Sequence, residues 1–221
     1  MISIITINKD NKEGLRKTIE SVISQTYFSG IEYIIIDGAS TDGSVDVIKE
    51  YKDKINFWSS KPDKGIYDAM NKGLKYATGD YVLFLNSGDF LNDAYVIEKV
   101  FPYLKDGKYD VLSGDETKIG DGKIMNILTP DVPDEQFFYL SALPHQATFV
   151  KRELQKPFKT KYEIINDWVF LRELILEKGA KYKHIPVKVD IFALDGLSYK
   201  NSELALNEKE NYYLKKKLCQ K

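Results

Sequence analysis

Several features that would take this chain out of ordinary globular chemistry are missing from it. Its one cysteine, Cys219, in 221 residues excludes an internal disulfide framework and a cysteine-built zinc site. Charge nearly cancels, with 32 Lys and Arg against 33 Asp and Glu, so no general field draws nucleic acid to it. No apolar run approaches the roughly 20 residues of a membrane-spanning helix. Met1 to Ile7 carries no basic leader and no cleavage site, so no signal peptide is expected there. A protein of the reducing cytoplasm, soluble or peripheral to a membrane, is the expectation. Neither Gly-x-Gly-x-x-Gly nor Gly-Lys-Ser/Thr occurs, which argues against a dinucleotide dehydrogenase and a P-loop enzyme. The lack of a basic, glycine-rich phosphate loop also disfavours nucleotidyl transfer.

What is present is a regular alternation. Ile2 to Ile7, Ile31 to Ile36 and Tyr81 to Leu85 are short apolar runs without period-2 alternation, as strands buried on both faces require. Between them the spacing of Leu15, Ile19, Val22 and Ile23, then of Val45, Val47, Ile48 and Tyr51, then of Ile66, Met70, Leu74 and Ala77 predicts helices. Asp10 with Glu13 reads as a capping box for the first, and Ile55 to Trp58 as a short third strand. Such alternation predicts βαβ units and an α/β fold around a mostly parallel sheet. The second half differs. A helix is expected over 93–104, a hairpin through Gly120-Asp-Gly122, a strand at 147–150, a helix from Trp168 stopped by Gly179, and an alternating strand through Ile185, Val187, Val189 and Ile191. A charged helix fills 203–221. A single domain is expected, with halves at 1–100 and 101–200 and a charged helix or tail at 201–221.

In a parallel sheet, Thr6-Ile-Asn8, Asp37-Gly38 and Asn86-Ser87-Gly88-Asp89 share the carboxyl edge, where ligands of open α/β sheets bind. Asp37 there either accepts from a base N–H, as uracil or guanine offers, or caps its own turn through Ser40 and Thr41. Asp89 can hold a hard divalent cation that bridges diphosphate oxygens, or end a strand in an Asx turn.

The segments Ser3 to Asn8, Ser21 to Thr26, Ile36 to Gly43, Gly65 to Gly73 and Gly79 to Asp89 together resemble the family 2 glycosyltransferases, enzymes of the nucleotide-sugar-binding GT-A fold. Weaker likeness continues at His145 to Phe149, Asn166 to Arg172 and Gly196 to Ser198. The resemblance implies that Thr6, Asn8 and Asp37 hold the nucleoside, that Asp89 binds the metal, Mn²⁺ or Mg²⁺, and that Asp167 is the general base. Asp167 also suits the first turn of a helix. Lys64 and Asp68 fall near the expected donor pocket, with a solvated lysine and a helix-dipole acid as the other readings. Asn86 and Ser87 adjoin the metal position. His145 is a metal or acceptor contact or a hydrogen-bonded structural residue, His184 is structural, and Trp168 either stacks on the acceptor sugar or fills core. Three positions depart from the family pattern. Asn86-Ser-Gly-Asp89 stands for Asp-x-Asp-Asp, Ile7 for an aromatic residue, and Asn166 for an acid.

The expected activity is that of an inverting hexosyltransferase that moves one sugar from a nucleotide-sugar donor, UDP favoured over GDP, to a glycan or lipid-linked acceptor in capsule or lipopolysaccharide assembly. Loops 129–144 and 155–166 would choose that acceptor. The Lys-rich last helix either docks on an anionic membrane or is a solvated tail. The alternative is a non-catalytic nucleotide-sugar-binding or scaffolding subunit.

Overall fold

A computed structural model of the chain describes residues 1–120, 122–193 and 201–218. Strands β1 (Ile2–Asn8), β2 (Ile31–Asp37), β3 (Phe57–Ser60) and β4 (Tyr81–Phe84) pair in parallel in the order β3-β2-β1-β4. Every residue of β1, β2 and β4 is buried, as the unbroken apolar runs require. Residues alternate between the faces. Ile2 and Ile4 pack against α1 (Lys12–Ile23), α2 (Ser44–Glu50) and α4 (Val96–Leu104), whereas Ile5, Ile7, Ile34 and Ile36 pack against α3 (Ile66–Leu74). A sheet covered on both sides is the result.

Beyond β4 the sheet turns mixed. β8 (Thr148–Lys151) runs antiparallel between β4 and β6 (Val111–Gly120), β6 is parallel to β9 (Tyr182–Ala193), and a two-residue strand β5 (Phe90–Leu91) closes the edge against β9. The expected hairpin is β6 with β7 (Lys123–Ile127). A third cluster, around Phe138 of α5 (Glu135–Leu140) and Trp168 and Leu171 of α6 (Asn166–Arg172), takes in Leu204, Ala205, Tyr212 and Tyr213 of α7 (Ser202–Leu218). Residues 202–216 are therefore packed onto the domain rather than appended to it. Gly196 to Ser198, Asp121 and Cys219 lie outside the described residues.

Three local expectations are corrected. Asp10 does not cap α1. Asn11 does, accepting from Gly14 N at 3.2 Å, while Asp10 takes up a positive φ of 46° and accepts from Thr41 N at 2.7 Å. α4 begins at Val96, because the Asp93 carboxylate accepts from Tyr95 N and closes a turn ahead of the helix. The helix expected from Trp168 to Lys178 is α6 followed by a π-helical turn at Glu173–Glu177, ended by Gly179 at φ 68°.

The start of β1 is packed too tightly for a side chain beside it. A Cβ on Gly79 would stand 2.7 Å from Ser3 N and 2.9 Å from Met1 O, backbone atoms that cannot rotate away. Gly79→Ala is expected to cost about 1–3 kcal/mol, read as a lower urea midpoint, and an unchanged midpoint would show that this strand end yields freely.

Candidate active site

Register fixes the site. Asn8 lies opposite Asp37 and Asp37 opposite Ser60, and the parallel pairing continues past β4 through Leu85 N to Ile5 O and Ser87 N to Ile7 O. The carboxyl ends of β1 to β4 thus arrive at one level. Asp37, 0% exposed, accepts from Asn8 Nδ2 at 2.8 Å and Ser40 Oγ at 2.6 Å on one oxygen, and from Ser40 N at 2.9 Å and Ser60 Oγ at 2.6 Å on the other. Burial alone would raise its pKa, but the Ser40, Ser60 and Asn8 donors outweigh it and hold the carboxyl below its ordinary value. A carboxylate has about four acceptor sites, and these donors occupy them. The turn-capping reading of Asp37 is the one observed, through Ser40. Asn8 Oδ1 is buried with no hydrogen-bond donor.

Thr6 is corrected. It shares a face with Asn8 but lies one step deeper along β1, 0% exposed, its hydroxyl donating to Leu85 O at 2.8 Å and lying 3.1 Å from Tyr33 Oη. It joins β1 to the end of β4 and does not reach the edge. Lys64 is exposed, and the Asp68 carboxylate accepts from Lys64 N and pairs with Lys72 at 2.8 Å, which ties the first turn of α3 to the chain ahead of it. Asp63, missed in the sequence, comes closer: its Oδ2 is 2.5 Å from where a Gly38 Cβ would stand, so its carboxylate lies over the Asp37-Gly38 turn.

At the end of β4, Gly88 adopts φ 104°, a backbone that disfavours other residues, and swings Asp89 back under the edge. Asp89 is 7% exposed and accepts from Gln146 Nε2 at 3.3 Å. Beneath it Asp190 of β9 is fully buried, neither oxygen hydrogen-bonded. Burial first, then the charges of Glu116 and Asp89, push Asp190 well above the carboxylate range.

The second half contributes a further hydrogen-bonded carboxylate. Asp167, in the first turn of α6, accepts from Tyr67 Oη at 2.7 Å on Oδ1 and lies 2.9 Å from His145 Nδ1 on Oδ2. His145 Nε2 in turn lies 3.1 Å from Asn86 Nδ2. Burial would raise Asp167, but the hydrogen bond and charge of His145, with the Tyr67 hydroxyl, hold it below its ordinary value. Burial would lower His145, but the same bond and charge raise it. Two side chains orient this carboxylate, whose exposure is 18%, and its remaining lone pairs are open to a further donor. Trp168 is corrected to core. It is 3% exposed, and its indole N–H donates to Phe138 O at 3.0 Å and Ser141 O at 3.1 Å. His184 is structural as expected, held between Asp115 at 2.9 Å and Asp131 at 3.0 Å. A cavity of about 510 Å³ lined by Met1, Asp80, Lys105 and Arg152 opens at the opposite pole, away from every one of these groups.

Comparison with known proteins gives the family and the fold. Residues 2–175 match the family model described as glycosyl transferase family 2. The chain belongs to that family. It is 31% identical over 204 residues to the poly(ribitol-phosphate) beta-N-acetylglucosaminyltransferase TarP of Staphylococcus aureus, covering 86% of this chain and 60% of the relative. A PGL/p-HBAD biosynthesis glycosyltransferase of Mycobacterium tuberculosis is 27% identical over 181 residues, 77% of this chain and 68% of its own. An 88-residue stretch is 43% identical to a further M. tuberculosis glycosyltransferase, 40% of this chain and 34% of that one. The chain thus spans from about a third to two thirds of the length of these relatives. Among solved structures, S. aureus TarS residues 1–349 in complex with UDP-GlcNAc superpose with a TM-score of 0.74 at 17% identity, over 91% of this chain and 60% of that one. The mannosyltransferase PcManGT of Pyrobaculum calidifontis, with GDP-Man and Mn²⁺, gives 0.68 at 16% identity, over 90% and 58%. The fold is GT-A.

The His145–Asp167 pair has a signed pH dependence. A folded-state histidine pKa above its unfolded value of about 6.5 contributes stability that is fully present below that value and lost as pH rises through the folded pKa. Asp167→Asn is expected to bring the His145 titration down, read by NMR of its ring protons, and to cost more stability near pH 5.5 than near pH 9. Equal costs at both would mean that the two groups are not coupled.

Proposed function

We propose that the protein is an inverting glycosyltransferase that moves one sugar from a nucleoside-diphosphate donor, UDP favoured, to a hydroxyl of a glycan or lipid-linked acceptor in surface-polysaccharide assembly. The observation that carries this is the oriented Asp167 carboxylate, set by Tyr67 and His145 and linked through Asn86 to the sheet edge that bears Asp89. In this reading Asn8, Asp37 and Asp63 receive the nucleoside. A base imide replaces one of the two serine hydroxyls on Asp37, since hydroxyls rotate and the backbone N–H of Ser40 does not. The donors in TarS (UDP-GlcNAc) and PcManGT (GDP-Man) support a nucleotide sugar.

Among the described residues, no group of three His, Cys, Asp or Glu side chains could enclose a metal ion. The donor set fits a different arrangement. Mg²⁺-like ions are commonly held by one or two carboxylates plus substrate phosphates, and Asp89 offers one such carboxylate for an ion that arrives with the diphosphate. Asp89 would hold Mn²⁺ or Mg²⁺, which supplies charge neutralisation on the leaving diphosphate. Asp167 takes the proton of the acceptor hydroxyl as its oxygen attacks the anomeric carbon. The bond from that carbon to the diphosphate oxygen breaks on the opposite face, and the centre inverts. A depressed pKa keeps Asp167 ionised, and so able to accept, throughout the neutral range. His145 and Tyr67 hold its orientation. No described helix is long and apolar enough to cross a membrane, and a lipid-linked acceptor would be met at the membrane surface.

Asp167→Asn is expected to lower turnover by about 10²–10⁴-fold while leaving nucleotide binding intact. UDP with Mn²⁺ is expected to raise the melting temperature, by about 2.7 kcal/mol of stabilisation at a hundredfold excess over its Kd, and Asp89→Ala to abolish the metal-dependent part. No shift with UDP or GDP would favour the non-catalytic scaffold instead.

A further inference from the structure

Helix α6, which presents Asp167, begins without a side-chain cap of its own. The amides just ahead of it are met from the far end of the chain. Glu208 of α7, 9% exposed, accepts from Glu163 N at 2.7 Å on one oxygen and from Ile164 N at 3.1 Å on the other. The Ile164 carbonyl in turn takes the hydroxyl of Tyr67, the same hydroxyl that donates to Asp167 Oδ1. A phenol has one proton to give, so the height of Ile164 decides how Tyr67 divides it between that carbonyl and Asp167. The next residue of α7 works from the other side. Lys209 Nζ donates to Ser141 O at 2.8 Å and sits 4.9 Å from the centre of the Trp168 ring, whose indole bonds the same carbonyl. Consecutive residues of α7 therefore grip the chain before Asp167 and the ring immediately after it.

We infer that Glu208 is a positioning residue for the reaction, and that α7 is a strap which sets the height and orientation of Asp167 by holding residues 163 and 164. The inference rests on Asp167 as the base. A two-residue lever between a clamp and a reacting carboxylate matters because a misplacement near 1 Å costs about a hundredfold in rate. The hydrogen-bond partners of Asn8 and Asp37 lie on β1, β2 and β3 and in the turn at Ser40, so nucleotide binding there is separable from the strap.

The test uses the full chain with Glu208→Ala, Glu208→Gln and, as a control on the same helix, exposed Glu210→Ala. UDP-GlcNAc turnover with water as acceptor, UDP affinity, amide exchange over 162–168 and the His145 ring titration are measured. Glu208→Ala is expected to lower turnover at least about tenfold, keep UDP affinity within about twofold, open the 163 and 164 amides to exchange and shift His145. Glu208→Gln, which retains one acceptor oxygen, recovers part of each, and Glu210→Ala changes none. Wild-type exchange and titration in both Glu208 variants would overturn the strap. So would loss of UDP affinity in parallel with turnover, which marks general unfolding. If Asp167→Asn keeps full turnover while Glu208→Ala still moves exchange and His145, the strap stands and the base assignment falls.

Discussion

The structure depends on one constraint: a parallel sheet buried on both faces leaves its polar chemistry nowhere to go but the strand ends. β1, β2 and β4 are buried along their whole length because helices cover them on each side, and their pairing continues in register to Asn8, Asp37 and Ser87. At that edge, backbone and side-chain polar groups must satisfy one another. Asp37 answers with four donors from three different segments. A buried carboxylate so fully bonded is a fixed point, and the loops at 38–43 and 60–65 are hung from it.

The second half obeys a different logic. Its mixed sheet has α4 on one face and α5 and α6 on the other, and Asp167 comes from no strand end. Asp167 belongs to a short helix whose orientation is imposed by contacts from four directions: Tyr67 on α3, His145 ahead of β8, Asn86 behind His145, and α7 from behind. Each partner is itself fixed by something buried. The geometry around Asp167 is thus a product of the seam between the two halves.

Legibility followed the range of the contacts. The parallel strands were readable because each is a local apolar run, and Asp89 and Asp167 stood in segments that resemble a known family. Thr6 was misplaced because depth along a strand is set by where the edge falls, which a string of residues does not mark. Trp168 could equally have been a sugar platform, and its partners, Phe138 and Tyr212, come from distant helices. Tyr67, off the Ile66–Met70 stripe, carried no local signal for a bond to a residue 100 positions away, nor did Glu208 for amides 44 and 45 positions before it.

Arg172 draws the practical boundary of this fold. Its guanidinium is 1% exposed and bonds Glu135 of α5, Glu177 of the π turn and Tyr212 of α7 at once. Removing one partner from a buried charge costs far more than the pair is worth. The stretch matched by the family model ends at residue 175, inside that knot. A fragment cut there would keep the cation and lose Glu177 and Tyr212, so a piece that keeps the knot whole is longer than the one the family model matches.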